Sequence, residues 1–164
     1  PGERTFYLQA RQGVEVTSVA LEKAQAAALA ERIGDLLEQV ASTGATVPTS
    51  APADLADSAP LDLPLVEEFR VGAMALGWDE ASARIVVEAH AVAEEDAQVP
   101  EIGDDDPVGP DTLRVWLTPA YARAFAARAE RVVAAGRPEC PFCNGPLDPS
   151  GHICPRANGY RRRG

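Results

Sequence analysis

The chain has 164 residues, of which 46% are hydrophobic and 24% are charged; these ordinary proportions exclude a wholly disordered chain, a collagen and a coiled coil. No apolar run approaches the length of about 18 residues that a membrane-spanning helix needs, which excludes such a helix in this sequence. The formal net charge of −10 argues against attraction of the whole body to nucleic acid or anionic lipid.

The first part of the chain predicts a hairpin followed by a helix. Residues 5–11 and 14–21 alternate polar with apolar or aromatic side chains on either side of a short turn, which is typical of paired strands. Residues 22–40 carry apolar side chains at helical spacing and predict the first helix. Residues 45–64 are rich in Pro, Ser, Thr, Ala and Asp, and we expect a loose linker there.

The second part predicts a longer hairpin, a further strand and a second helix. The strands are expected at 69–78, 82–92 and 112–117, with an acidic, solvated loop over 94–111 between the last two. The second helix is expected over 120–135. Its apolar stripe is predicted to consist of Tyr121, Phe125, Val132 and Val133, and that of the first helix to include Leu29, Ile33 and Leu37.

A repeat at a constant offset relates the two parts. Val19 and Leu21 recur as Val115 and Leu117, each pair leading into an Ala-rich helix; coincidence between two such helices is the alternative to duplication. We therefore predict an α+β fold, in which a duplicated strand-strand-(strand)-helix unit forms one antiparallel sheet with both helices on one face.

The predicted domain organisation follows from this repeat. Residues 1–136 would form the α+β domain from two similar halves, about 1–44 and 65–136, joined by the linker. Residues 137–164 would form a small zinc-ribbon-like tail, a zinc knuckle.

The strongest functional signal is a cluster of soft ligands near the C-terminus. Cys140, Cys143, His152 and Cys154 lie within 15 residues, among Pro and Gly residues that favour turns. Three thiolates and one imidazole suit a tetrahedral, structural Zn²⁺ site that has no open position for a water nucleophile. A disulfide with one thiol left over and a redox Cys-x-x-Cys are the alternatives. If His152 does not bind the metal, His90 is the alternative fourth ligand.

An arginine-rich tail is the second signal. Arg137, Arg156, Arg161, Arg162 and Arg163 give residues 137–164 a positive balance on an otherwise acidic chain. Such a segment could contact nucleic acid or an acidic partner, and a solvated terminus is the alternative.

An enzyme is the third class left open. No catalytic motif occurs in the sequence. A cleft between the two halves would have to bring together polar groups such as Arg70, Arg84 and Arg114.

Three segments carry a resemblance to a known family. They are Glu3 to Arg11, the Thr118-Pro119-x-x-Ala122-x-x-Phe125 pattern, and Cys140-Pro141-x-Cys143 with its continuation through Gly151-His152-x-Cys154-Pro155-Arg156 to Gly159. Over essentially its whole length the chain resembles an uncharacterised conserved actinobacterial family, a domain of unknown function. Its members carry a short extra N-terminal strand, so the resemblance implies that a short piece precedes Pro1. Members of that family are often encoded near proteins similar to histidine phosphatases and phosphoinositide kinases, so the resemblance implies a pathway partner.

These observations together predict a non-enzymatic, zinc-containing interaction or adaptor protein. We expect a protein partner, whose identity the sequence does not give, and a cytoplasmic location, because no signal peptide is seen. A nucleic-acid-binding protein that uses the arginine tail and an enzyme with a cleft between the repeats are the alternatives.

Overall fold

A computed structural model of the protein describes residues 5–93, 101–103, 109–135, 142–143 and 154. This part of the chain contains five strands and two α-helices, and it confirms the predicted α+β class. In chain order, the elements are β1 (Phe6–Gln12), β2 (Glu15–Leu21), α1 (Lys23–Ser42), β3 (Glu67–Asp79), β4 (Arg84–Ala91), β5 (Thr112–Leu117) and α2 (Pro119–Ala134), with a short 3₁₀ turn at Ala53–Leu55. This order is that of the two predicted halves; the duplication itself stays a prediction.

The five strands form one mixed sheet in the order β1-β2-β3-β4-β5. The β1–β2, β3–β4 and β4–β5 pairs are antiparallel, as predicted, but β2 and β3 are parallel. The expectation of a wholly antiparallel sheet is therefore wrong at the junction of the two halves. The physical reason is the connection: α1 and the linker form the long crossover that a parallel pair requires.

The parallel pairing is short and leaves much of β3 beyond the reach of β2. Its register joins Ser18 to Glu67 and Ala20 to Arg70, and β2 ends at Leu21. Strand β3 has 13 residues and continues to Asp79, paired over this second part with β4. The first part of β3 therefore joins the β1–β2 hairpin to the sheet, and its second part is paired with β4.

Both helices pack on one face of the sheet, as predicted. The main core joins Leu29, Ile33 and Leu37 of α1 to Ile85 and Val87 of β4, with small side chains of α2 between them. Burial of these aliphatic side chains is the main stabilising term, at about 1.5–3 kcal/mol for each fully buried side chain. The predicted α1 stripe is confirmed.

The predicted α2 stripe is partly wrong. Its buried residues are Ala122, Ala124 and Ala126, whereas Tyr121 is 57% exposed and Val132 45% exposed. The small alanines let α2 approach α1 closely, so the bulky side chains lie at the margin of the contact. The first turn follows the sequence signal, since Thr118 Oγ1 accepts a hydrogen bond from the Tyr121 amide and Pro119 begins the helix.

The segment between α1 and β3 is not a loose linker, contrary to the sequence-based expectation. Arg123 of α2 donates to the Pro48 carbonyl at 3.1 Å, and Arg128 donates to the Ala59 carbonyl at 2.7 Å. At its far end, Gln9 of β1 and Asp62 exchange two hydrogen bonds of 3.2 and 2.8 Å. Side chains of α2 and β1 thus fix the crossover, a feature that its composition does not reveal.

Candidate functional site

An open groove of about 800 Å³ lies between α1 and the second part of β3. Helix residues spaced by three or four positions form one wall, including Gln25, Ala28 and Arg32, because such residues share a helix face. The other wall is β3, with Met74 and Leu76. We call this feature the α1–β3 groove.

The groove combines apolar and charged surfaces. Ala28 and Leu36 of the helix, and Met74 of the strand, are partly buried and offer aliphatic contact. Arg32 and Asp35 are exposed and carry opposite charges. This arrangement suits the binding of a chain that has both apolar and polar groups.

One glutamine joins α1 to the backbone of β3 at the end of the groove. Gln25 Nε2 donates to the carbonyls of Val71 at 3.0 Å and Gly72 at 3.3 Å. Its Oε1 accepts from the Glu22 amide at 2.8 Å, as part of a capping box at the start of the helix. Two successive carbonyls reach the same side chain because the β3–β4 register shifts between Val71 and Ala73.

A glycine is required at this irregularity. A Cβ atom on Gly72 would lie 2.8 Å from the Cα atom of Val92, closer than real contacts allow. The approach is fixed by the hydrogen bond from the Val92 amide to the Arg70 carbonyl, 3.0 Å long. The β3 backbone at the end of the α1–β3 groove is therefore fixed by Gln25 on one side and by the segment after β4 on the other.

A second polar group lies on the opposite face of the sheet, away from the helices. The side chains of Glu88 and His90 are almost wholly buried there. Glu88 Oε1 accepts from the Gly103 amide at 2.8 Å and from Arg114 Nε. His90 Nδ1 lies 2.9 Å from Thr112 Oγ1, and its Nε2 lies 3.3 Å from Glu88 Oε2. We call these four side chains, Glu88, His90, Thr112 and Arg114, the β4–β5 polar cluster.

The β4–β5 polar cluster contacts two points of the connection between its two strands. Glu88 accepts a hydrogen bond from the Gly103 amide in the middle of the connection, and Thr112 donates to the Pro110 carbonyl near its end. His90 is thus a packed histidine with a neighbour at each ring nitrogen. Within the described residues the cluster anchors a loop; it does not open into the α1–β3 groove, whose lining contains none of its members.

The three arginines proposed for an enzyme cleft contact different partners. Arg70 pairs with Glu22 at 2.6 Å, and Arg114 pairs with Glu88. Arg84 is exposed and lies across the hairpin from Asp79. The hydrogen bond from the Ser82 hydroxyl, followed by smaller contributions from backbone amides and Arg84, lowers the pKa of Asp79 below its usual 3.8.

The structure describes only part of the predicted zinc set. Cys143 is partly buried and Cys154 is buried, whereas Cys140 and His152 lie outside the described residues. No group of three or more potential metal ligands occurs among the residues that the structure describes. All five arginines of the tail, and most of the acidic 94–111 loop, also lie outside the described part.

The comparison with protein families identifies the chain at the level of a family. A family model described as a protein of unknown function, DUF3090, matches residues 1–154. The chain belongs to this family. No curated protein and no solved structure matches it. The match to DUF3090 ends at Cys154, so it contains the four predicted zinc ligands, whereas Arg156 and Arg161 to Arg163 lie beyond it.

Neither helix is suited to crossing a membrane. None of the helices in the described ranges combines the length and the apolar character that a bilayer demands.

Proposed function

We propose that this DUF3090 protein is a non-enzymatic interaction protein, or adaptor, that binds a protein partner in the α1–β3 groove. The groove itself is the observation that carries the proposal. Its walls belong to a 20-residue helix and a 13-residue strand, so its shape is set by regular elements and not by loops. Rigid walls reduce the entropy that a partner loses on binding.

The chemistry of the groove supports binding of a protein rather than proton transfer. Aliphatic atoms of Leu36 and Met74 lie beside the charged groups of Arg32 and Asp35, which resembles the apolar core and polar rim of interfaces. Glu88 and His90, a neighbouring acid and base within the described residues, lie on the other face of the sheet and are buried.

We further propose that Cys140, Cys143, His152 and Cys154 bind one structural Zn²⁺. Three thiolates and an imidazole form a donor set that suits this ion. The burial of Cys154 and the inclusion of all four residues in the span matched by the family support the assignment. The metal would stabilise a segment of residues that is too short to build a large core.

Nucleic-acid binding by the arginine tail has less support and stays a sequence-based prediction. Arg156 and Arg161 to Arg163 lie outside the span matched by DUF3090. The chain as a whole carries a net charge of −10, which opposes the approach of a polyanion.

Filling the groove tests the proposed function. Ala28 is half-buried in the groove wall, and Ala41 is exposed on the same helix outside the groove lining. We expect Ala28→Trp to reduce capture of the native partner at least tenfold, because the indole would occupy its space, whereas Ala41→Trp should retain it. The measurement is quantitative affinity enrichment from the native host with the wild type and both variants.

Thermal unfolding of each variant provides the control for folding. Should Ala28→Trp unfold the protein, Ala24→Trp replaces it, since Ala24 lines the groove and is exposed. Equal capture of the partner by Ala28→Trp, or by the variant that replaces it, and by Ala41→Trp would contradict the proposed function.

A further inference from the structure

We infer that an extended segment of a different protein occupies the α1–β3 groove and adds as a strand to the edge of β3. The protein that supplies this segment carries a net positive charge. This inference rests on the proposed function and names the chemistry of the partner. It follows from three observations: the backbone groups that β3 presents, the dimensions of the groove, and the charge of the chain.

The first observation is the direction of the β3 backbone groups. The Gly72 carbonyl points toward Gln25 on the α1 side. In a strand, the N–H and C=O groups of alternate residues point to the same side, so those of Met74, Leu76 and Trp78 point to the α1 side too. The groups of the intervening residues point toward β4, with which this part of β3 is paired.

This edge of β3 has no strand beside it within the described residues. The β2 pairing ends at Arg70, and Gln25 then binds the next two carbonyls, those of Val71 and Gly72. Beyond Gly72 the edge faces the groove. Main-chain groups spaced along an edge in this way match the N–H and C=O groups of another extended chain, which is the basis of recognition by strand addition.

The groove has room for such a chain. From Ala73 to Asp79 the strand spans roughly 20 Å at about 3.3 Å per residue, and α1 runs for about 30 Å along the opposite wall. Ala24 and Ala28 are small and leave space between helix and strand. A guest segment of about six residues would fill this length and place alternate side chains against α1.

The charge of the molecule selects a different protein over a second copy. Two copies would each carry −10 and would repel one another. Within the groove the charges of Arg32 and Asp35 balance, so long-range attraction comes from the acidic body as a whole. A segment from a protein of net positive charge is favoured by this field, and its approach would be faster at low salt.

Peptides with selectively blocked backbones test the inference. Linear octapeptides would be selected from a displayed library on the wild-type protein, and the best binder would be N-methylated at alternate residues in two complementary sets. A bound strand directs only one set of its N–H groups to β3. We expect one set to weaken the Kd at least tenfold and the other to change it less than threefold.

The variants separate the failure of this inference from that of the proposed function. Peptide binding could be lost in Ala28→Trp and retained in Ala41→Trp, yet be insensitive to the choice of N-methylated set. That result would overturn strand addition but would still support a groove that binds partners. Binding that survives Ala28→Trp would contradict both.

Two further results would overturn the inference. One is a library that yields no binder. The other is a dimer, seen by sedimentation at about 100 μM, that Ala28→Trp dissociates, since the occupant would then be a second copy. Slower hydrogen exchange at the Met74, Leu76 and Trp78 amides in the peptide complex is the positive signature that we expect.

Discussion

The neighbours of His90 determine which of its ring nitrogens carries a proton. The Pro110 carbonyl can only accept, so the single hydroxyl proton of Thr112 is donated to it. Thr112 Oγ1 therefore accepts from His90, and Nδ1 must be protonated. Nε2 then faces Glu88 Oε2 at 3.3 Å. Among the described residues neither of these two buried atoms has a hydrogen-bond partner.

Removing the charge of Glu88 should weaken this cluster measurably. We expect Glu88→Gln to lower the free energy of unfolding by about 2 kcal/mol, because the buried ion pair with Arg114 is replaced by a hydrogen bond from the charged guanidinium to a neutral amide. Urea unfolding measures the loss, and ¹⁵N NMR of the imidazole should show Nδ1 protonated in the wild type.

An exposed glutamate gives the control for that substitution. Glu80 lies in the turn between β3 and β4 and is exposed, so Glu80→Gln should change stability by less than about 0.5 kcal/mol. Equal losses in the two variants would contradict the stabilising role of the Glu88–Arg114 pair, and an unprotonated Nδ1 in His90 would contradict the assigned hydrogen bond to Thr112.

At the scale of single elements, two glycines should respond to the same substitution with opposite signs. Gly72→Ala places a methyl group 2.8 Å from the Val92 backbone, and we expect a loss of about 1–3 kcal/mol. Gly34 lies inside α1, where an added methyl group would have no neighbouring atom within 4 Å. Gly34→Ala should therefore stabilise the protein by up to about 1 kcal/mol, because alanine favours the helix.

Chemical denaturation of the two alanine variants measures both effects. A neutral result for Gly72→Ala would mean that β3 and the segment after β4 can separate at no cost. That result would contradict the close contact between Gly72 and Val92 at the edge of the α1–β3 groove.

The sequence predicts the elements better than it predicts their contacts. Alternation in β1 and helical spacing in α1 are local properties, and they located both elements to within a few residues. The parallel β2–β3 pairing depends on the path of the crossover, which local pattern does not contain. The α2 stripe failed for a related reason, because close helix packing selects small residues over large ones.

The candidate groove could not be predicted from local pattern either. It exists because β3 continues past the end of β2, and the relative lengths of paired strands become visible only with their register. The spacing of Glu88 and His90 in an otherwise apolar strand was a usable signal for the polar cluster. Gln25 gave no such signal, since its partners are backbone atoms of a distant strand.

On the scale of the whole molecule, the fold separates two sources of stability. The body has its own aliphatic core, in which Leu37 and Ile85 are fully buried between the sheet and the helices. The segment that contains the four proposed zinc ligands has few large apolar residues. A metal site in this segment should therefore govern its local order, while the body folds independently of the metal.

The zinc site makes the last prediction. Protein purified without added metal should contain about one Zn²⁺ per chain, and Cys143→Ser should reduce that content by more than tenfold, because the remaining ligands are one short of a tetrahedral set. The cooperative unfolding of the body should change little, since its core lies within residues 5–135. Elemental analysis, thiol titration and circular dichroism measure the three quantities.

The two histidines supply the matched control. His152→Asn should lose zinc and keep the body stable, whereas His90→Asn should keep zinc and destabilise the body, because His90 is packed against Thr112 and Glu88. Loss of zinc in His90→Asn alone would make His90 the fourth ligand. A zinc content near zero in the wild type, with three thiols that titrate in the native state, would refute the site. Collapse of the sheet in Cys143→Ser would instead show that the metal supports the main core, since an appended segment can lose its order without unfolding the domain to which it is attached.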